Sequence, residues 1–157
     1  MHALVYCLTP AASVGLYAIQ IASLNNIDVV TTCSPKHADL VQSYGAKYVF
    51  DYKDPDVVDK IQQVAPNTHH VFDTIGNATS STTSSRALGG SPKNLCTVRP
   101  GKANTENVEP GTNVTDVLVW TAFLKDHSFG KFKWPVSAPP PSPGYIYITD
   151  MAVLGFA

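Results

Sequence analysis

At 157 residues, with 44% hydrophobic and 15% charged residues, the chain has the material for one packed domain rather than a disordered or fibrous polymer. A formal net charge of −1 offers no general attraction to nucleic acid or anionic membrane, and no apolar run approaches the roughly 20 residues of a membrane-spanning helix. Cys7, Cys33 and Cys96 stand far apart, and "MHALVYCLTP" lacks a basic flank and a long apolar stretch. Both features point to a reducing, cytoplasmic setting.

Residues 3–6, "ALVY", read as a first strand, followed by the turn-like "CLTPAASVG". "LYAIQIASL" sets Leu16, Ile19, Ile21 and Leu24 at near-helical spacing, and Asn25-Asn26 ends that helix. "IDVVTT" is a β-branched second strand, "KHADLVQSYG" a short helix closed by Gly45, and "AKYVFDY" a third strand. "DPDVVDKIQQV" opens on Asp54-Pro55 and repeats apolar residues at Val57, Val58, Ile61 and Val64, a second clear helical pattern. "HHVFDTIG" reads as a fourth strand, "SSTTSSRAL" as a weak helix and "NLCTV" as a fifth strand.

Strands alternating with helices of about ten residues predict βαβ units and a parallel, doubly wound α/β sheet. Beyond Pro100 the pattern fades: "GKANTENVEPGTNV" reads as a surface loop and "TDVLVWTAFL" as strand or helix. "WPVSAPPPSPG" can be neither an ordinary helix nor a central strand, because proline lacks an amide donor and fixes φ. The expected organisation is a Rossmann-like domain over 1–135 and an irregular, Pro-rich arm over 136–157.

Ligands of such sheets bind beyond the carboxyl ends of the strands, with pyrophosphate at the first helix N-terminus. In "TPAASVG" only Gly15 stands where a dinucleotide fingerprint has three glycines, although Ala11 and Ala12 still allow close approach and Ser13 offers a hydroxyl. The acid that would hold a ribose hydroxyl belongs about 20 residues on, around Thr31 to Ser34, and no Asp or Glu stands there. Ser34 and Lys36 can instead donate to a 2′-phosphate, with Tyr52 a further donor or a surface for adenine. The competing reading makes Ser34 a helix cap and Lys36 a solvated first-turn residue, and the sequence leaves both open.

"AASVGLYAIQIA", "VVTTCSPKHADLVQSYGAKYVFDYKDPDVV" and "VFDTIG" resemble the cofactor domain of the zinc-independent medium-chain dehydrogenases/reductases. The nearest group is the quinone-oxidoreductase-like proteins of fungi, including trans-acting enoyl reductases of polyketide pathways. The resemblance runs from about Ala3 to Pro135 and includes "TAFLKDHSFGKFKWP". It implies a Rossmann sheet, NADP(H), and hydride transfer to a conjugated carbonyl or quinone, in secondary metabolism such as polyketide assembly. It places Ala11, Ala12, Ser13 and Val14 at the pyrophosphate, and Ser34, Pro35, Lys36 and His37 around the 2′-phosphate beside Tyr52. Thr97 and Val98 would flank the nicotinamide. Val117, Leu118, Val119, Trp120 and Thr121 would border the substrate cleft.

Members of that family begin with a β-barrel domain that forms half of the cleft, and the resemblance includes none of it. "YCLTPAASVG" also replaces the usual tyrosine, paired glycines and serine. Alternative expectations are therefore a redox-inactive accessory or binding protein, or an isomerase or cyclase reusing the cleft. A homo-oligomer, or a partner protein covering the face of the absent domain, would fit the first of these. No general acid stands out. No metal is expected, because His69 and His70 point to opposite faces of a strand. Asp73 reads as a strand-end carboxylate satisfied by backbone donors, and Cys33 as a small buried side chain.

Overall fold

The computed structural model describes residues 4–8, 13–117, 127–129 and 132–134. The chain runs β1 (Leu4–Leu8), α1 (Ser13–Leu24), β2 (Asp28–Cys33), a 3-10 turn (Pro35–His37), α2 (Ala38–Ser43) and β3 (Tyr48–Asp51). It continues through α3 (Val57–Val64), β4 (His70–Asp73), α4 (Ala78–Ala87), β5 (Lys93–Thr97) and β6 (Thr112–Asp116) to a hairpin of β7 (His127–Phe129) and β8 (Phe132–Trp134). Six strands form one parallel sheet in the order β3-β2-β1-β4-β5-β6. The chain starts at the centre, winds outward through β2 and β3, crosses to the far side of β1 as β4, and winds outward again. This is the predicted doubly wound sheet.

Alternation along β2 feeds two cores. Val29 and Cys33 pack with Ile19 and Ala22 of α1 and Val41 of α2, whereas Val30 packs with Val57 and Ile61 of α3, Val71 of β4, and Ala87 and Leu88. Both faces of the strand are covered, so a near-continuous apolar run is what the fold demands. Ile19, Val30, Val41, Ile61 and Leu95 are fully buried, and each contributes roughly 1.5–3 kcal/mol relative to exposure.

Several boundaries differ from expectation. β1 continues through Cys7 and Leu8, because both residues find register partners on each side, Thr31 and Thr32 in β2 and Phe72 and Asp73 in β4. Between β2 and α2 the chain makes a 3-10 turn before the α-helix, and Gly45 ends α2 with φ +107°. A Cβ at Gly45 would fall on the Ser23 side chain, so this glycine also lets the α2 turn close onto the end of α1. α3 begins at Val57; the Asp54 carboxylate accepts the Asp56 N–H at 2.9 Å and pairs with Lys60.

The serine-rich helix α4 is held by its ends and by its fit to the sheet. Asn77 Oδ1 accepts the Ser80 N–H at 2.7 Å while Ser80 Oγ accepts the Asn77 N–H at 3.0 Å, a reciprocal cap. Ser80, Ser81, Ser84 and Ser85 are buried. Part of the expected loop after Pro100 is instead the edge strand β6, paired to β5 from Lys93↔Thr112 to Thr97↔Asp116. The Pro-rich arm over 136–157 lies outside the described residues. Among the described residues no helix is long and apolar enough to cross a membrane.

Candidate functional site

The carboxyl ends of β2, β1, β4 and β5 form one rim, and the winding reverses between β1 and β4. That reversal leaves a crevice where connections depart to opposite faces, the place such sheets bind ligands. α1 starts at this rim with Ser13 and Val14 exposed and no acidic residue in its first turn, so no side chain of that turn offsets its partial positive charge. Gly15, buried, faces the sheet. Ala11 and Ala12 lie outside the described residues.

At the end of β2, Ser34 is extended (φ −66°, ψ 140°) and its side chain makes no capping hydrogen bond. The His37 N–H closes the turn onto the Ser34 carbonyl at 2.9 Å, and Pro35 occupies the first helical position. Lys36 is exposed and forms no ion pair among the described residues. Tyr52 is brought to the same corner by its N–H, which donates to the Cys33 carbonyl at 3.3 Å, and its ring is half exposed. Lys53, not singled out in the sequence, places Nζ 5.6 Å from the centre of the Tyr52 ring. Its one advance signal was adjacency to Tyr52.

Cys33 lies beneath this corner in the α1–α2 core; burial, then the Asp51 carboxylate, pushes its thiol pKa up. It is a packed side chain rather than a reactive thiolate. Asp73 at the end of β4 is also fully buried. Its Oδ1 accepts the N–H groups of Ile75 (3.0 Å) and Gly76 (2.9 Å), and its Oδ2 the hydroxyls of Ser80 (2.7 Å) and Ser81 (3.0 Å). The carboxylate clasps β4 to α4. Ser80 and Ser81 are the partners that sequence reasoning did not supply.

Thr97 is buried; its hydroxyl accepts the Arg99 N–H at 3.3 Å and its carbonyl the Val117 N–H at 3.0 Å. Val98 is half-buried, with its N–H on the Asp73 carbonyl at 3.2 Å. Arg99, which no sequence pattern marked, crosses the β4–α4 turn and donates Nε to the carbonyls of Ile75 and Gly76, both at 3.2 Å. Gly76 (φ +65°) makes room, since a Cβ there would meet the arginine side chain. Val117 is half-buried at the end of β6, while Leu118, Val119, Trp120 and Thr121 lie outside the described residues.

His69 and His70 sit at the opposite end of β4 from this rim, where burial, then the neighbouring His69, lowers the His70 pKa. Among the described residues no three His, Cys, Asp or Glu side chains group to hold a metal ion.

A crevice of this kind at the winding reversal of a 3-2-1-4-5-6 sheet defines a Rossmann-type nucleotide fold. Residues 13–91 match the family model for zinc-binding dehydrogenases, and the chain belongs to that family, the medium-chain dehydrogenases/reductases, within their zinc-independent reductase branch. Over 115 residues it is 36% identical to a dual trans-enoyl reductase/FAD-dependent monooxygenase of Aspergillus terreus, covering 72% of this chain and 16% of that protein. Over 141 residues it is 30% identical to a trans-enoyl reductase of Aspergillus japonicus, covering 78% of this chain and 40% of the relative. The chain thus spans less than half the length of these relatives. Among solved structures, the CurK enoyl reductase superposes with a TM-score of 0.63 at 19% identity, over 77% of this chain and 38% of that one. A mycobacterial protein solved with NADPH superposes with a TM-score of 0.64 at 21% identity, over 76% and 41%. At these identities the two structures speak for the fold. The family's name implies zinc, but the described donor set does not fit one.

Proposed function

We propose that this chain is the NADP(H)-binding unit of an oxidoreductase of the enoyl or quinone reductase kind, acting on a conjugated carbonyl compound in fungal secondary metabolism. The observation that carries the reading is the corner after β2. A hydroxyl not used for capping (Ser34), a cation with no ion pair among the described residues (Lys36) and the half-exposed Tyr52, tied by its N–H to Cys33, belong to the corner where an NAD-selective sheet would place a carboxylate. Had Ser34 capped the following helix, the structural reading of that serine would stand; its side chain makes no such bond.

In this reading Ser34, Pro35, Lys36 and His37 surround the 2′-phosphate and Tyr52 lies beside the adenosine. The α1 N-terminus, with Ala11, Ala12, Ser13 and Val14, meets the pyrophosphate. Thr97 and Val98 flank the nicotinamide through the position of their backbone, and 117–121 border the substrate. When bound, the nicotinamide supplies the hydride; the chain's own residues select the cofactor, fix its depth and orient it. Asp73, with its acceptor sites taken by protein donors, holds the turn beneath the nicotinamide end. The test is calorimetric titration with NADPH and then NADH. NADPH binding in the micromolar range with NADH at least tenfold weaker supports the reading, and equal affinities for both would remove it.

A further inference from the structure

Arg99 carries a charge that no interaction described so far uses. It is exposed and has no carboxylate partner among the described residues, yet its stem is fixed. Cγ lies over Gly76, where an added Cβ would come within 2.2 Å of it, and Nε is occupied by the carbonyls of Ile75 and Gly76. The side chain makes no other hydrogen bond among the described residues, so both Nη groups keep their donors. A latch for the loop after β5 would be the plainer role, but that loop has latches already. Asn104 Nδ2 donates to the same Gly76 carbonyl at 2.8 Å, and the Gly101 N–H donates to the buried Asp116 carboxylate at 2.8 Å.

From the end of β5 the side chain reaches back over the turn that follows β4. In the strand order β1-β4-β5 this carries the guanidinium from its own strand to the one that borders the crevice. α1 starts on the β1 side of that crevice. A helix N-terminus supplies only about half an elementary charge, and the loop before this one has a single glycine where the dinucleotide fingerprint has three. A pyrophosphate bridge is a dianion, so that end alone leaves it poorly matched. A planar guanidinium whose stem is already ordered can take a phosphate by two parallel N–H···O bonds at little further entropic cost.

We propose that Arg99 is a second anchor for the cofactor's pyrophosphate, holding the phosphate on the nicotinamide side from across the crevice while the α1 N-terminus holds the other. The proposal rests on the NADP(H) reading above and adds to it a residue outside the glycine loop and outside the corner after β2. Lys102 stands on the same loop, exposed and with no ion pair among the described residues, but no hydrogen bond there fixes its side chain. It therefore separates the effect of a positioned guanidinium from that of loop charge alone.

The test is calorimetric titration of the full chain with 2′,5′-ADP, which lacks the second bridging phosphate, with 2′-phospho-ADP-ribose, which has that phosphate but no nicotinamide, and with NADPH. Arg99→Gln should weaken the last two roughly tenfold or more and leave 2′,5′-ADP within about twofold. Lys102→Gln, removing the same charge from the same loop, should leave all three within about twofold. Arg99→Lys keeps the charge without the planar fork and should lose a smaller factor on the same two probes. The anchor is overturned if Arg99→Gln costs nothing, costs all three probes alike, costs NADPH alone, or costs no more than Lys102→Gln. If the parent binds no 2′,5′-ADP, the 2′-phosphate reading is what fails, and the anchor falls with it.

Discussion

The backbone N–H of Tyr52 donates to the carbonyl of Cys33 at 3.3 Å, tying the chain that leaves β3 to the last residue of β2. That hydrogen bond brings the Tyr52 backbone to the residue before Ser34, although Ser34 and Tyr52 lie 18 positions apart in sequence. Parallel pairing of Cys33 with Asp51 continues one step beyond the ladder, and the corner is built from main chain rather than from side-chain accident.

Lys36→Ala should weaken NADPH binding about ten- to hundredfold, the worth of one charge-assisted hydrogen bond of roughly 1.5–3 kcal/mol, and leave NADH nearly unchanged. Calorimetry on the variant and the parent reads both numbers. Equal losses would assign Lys36 to the stability of the turn instead.

Tyr52→Ala should cost NADPH a smaller factor, about three- to tenfold, by removing the ring and releasing Lys53 from its position over it. Because the Tyr52 N–H is retained, the corner should stay folded. A thermal shift assay without ligand would show an unchanged midpoint if this is right.

Asp73→Ala strands one buried backbone donor, Gly76, one partly buried donor, Ile75, and two serine hydroxyls. Hydroxyls can rotate to other acceptors, but the two N–H groups cannot, so the loss should be on the order of 3 kcal/mol or more. Asp73→Asn keeps an oxygen for the N–H pair and should lose less. Urea unfolding midpoints of both variants test the order.

Burial pushes the Cys96 thiol from its usual 9.0 up to about 11, with the Thr115 hydrogen bond opposing and Asp116 adding. The raised value means the folded state keeps its proton longer than the unfolded chain. This contribution is complete below pH 9.0 and disappears as pH rises through about 11. Cys96→Ala should therefore flatten the fall in stability across that interval by up to about 2 kcal/mol, as measured by denaturation at pH 8.5, 9.5 and 10.5.

The central strands were legible because β2 and β4 carry apolar side chains that both helical layers need, and α1 and α3 because Ile19, Val57 and Ile61 repeat at helical spacing. β6 was not, since Thr112, Asn113, Thr115 and Asp116 give an edge strand little hydrophobic signature, and its register comes from β5. The corner after β2 was half legible. Ser34 and Lys36 stood at a predictable distance from the first loop, but whether the serine hydroxyl served the helix was a matter of geometry. Arg99 was invisible for a different reason: its partners are the carbonyls of Ile75 and Gly76, which every residue possesses. The helix α1 was read correctly from its spacing, but its exposed apolar side gave no separate signal, because Leu16, Ile19, Ile21 and Leu24 mix residues of its buried and exposed sides.

The strand order divides the chain into two sequence-contiguous halves. β1, β2 and β3 come from residues 4–51 and β4, β5 and β6 from residues 70–116, and the backbone ladder that joins the two sets of strands is the one between β1 and β4. Each half closes short loops, whereas the β1–β4 ladder closes a long one, which makes that joint the slowest to form. The crevice opens at the end of this same joint. A molecule bound across it holds both halves at once, so its binding free energy is added directly to the cohesion of the sheet. Ligand-induced protection against unfolding should accordingly be greatest at the β1–β4 ladder, where amide hydrogen exchange can read it strand by strand.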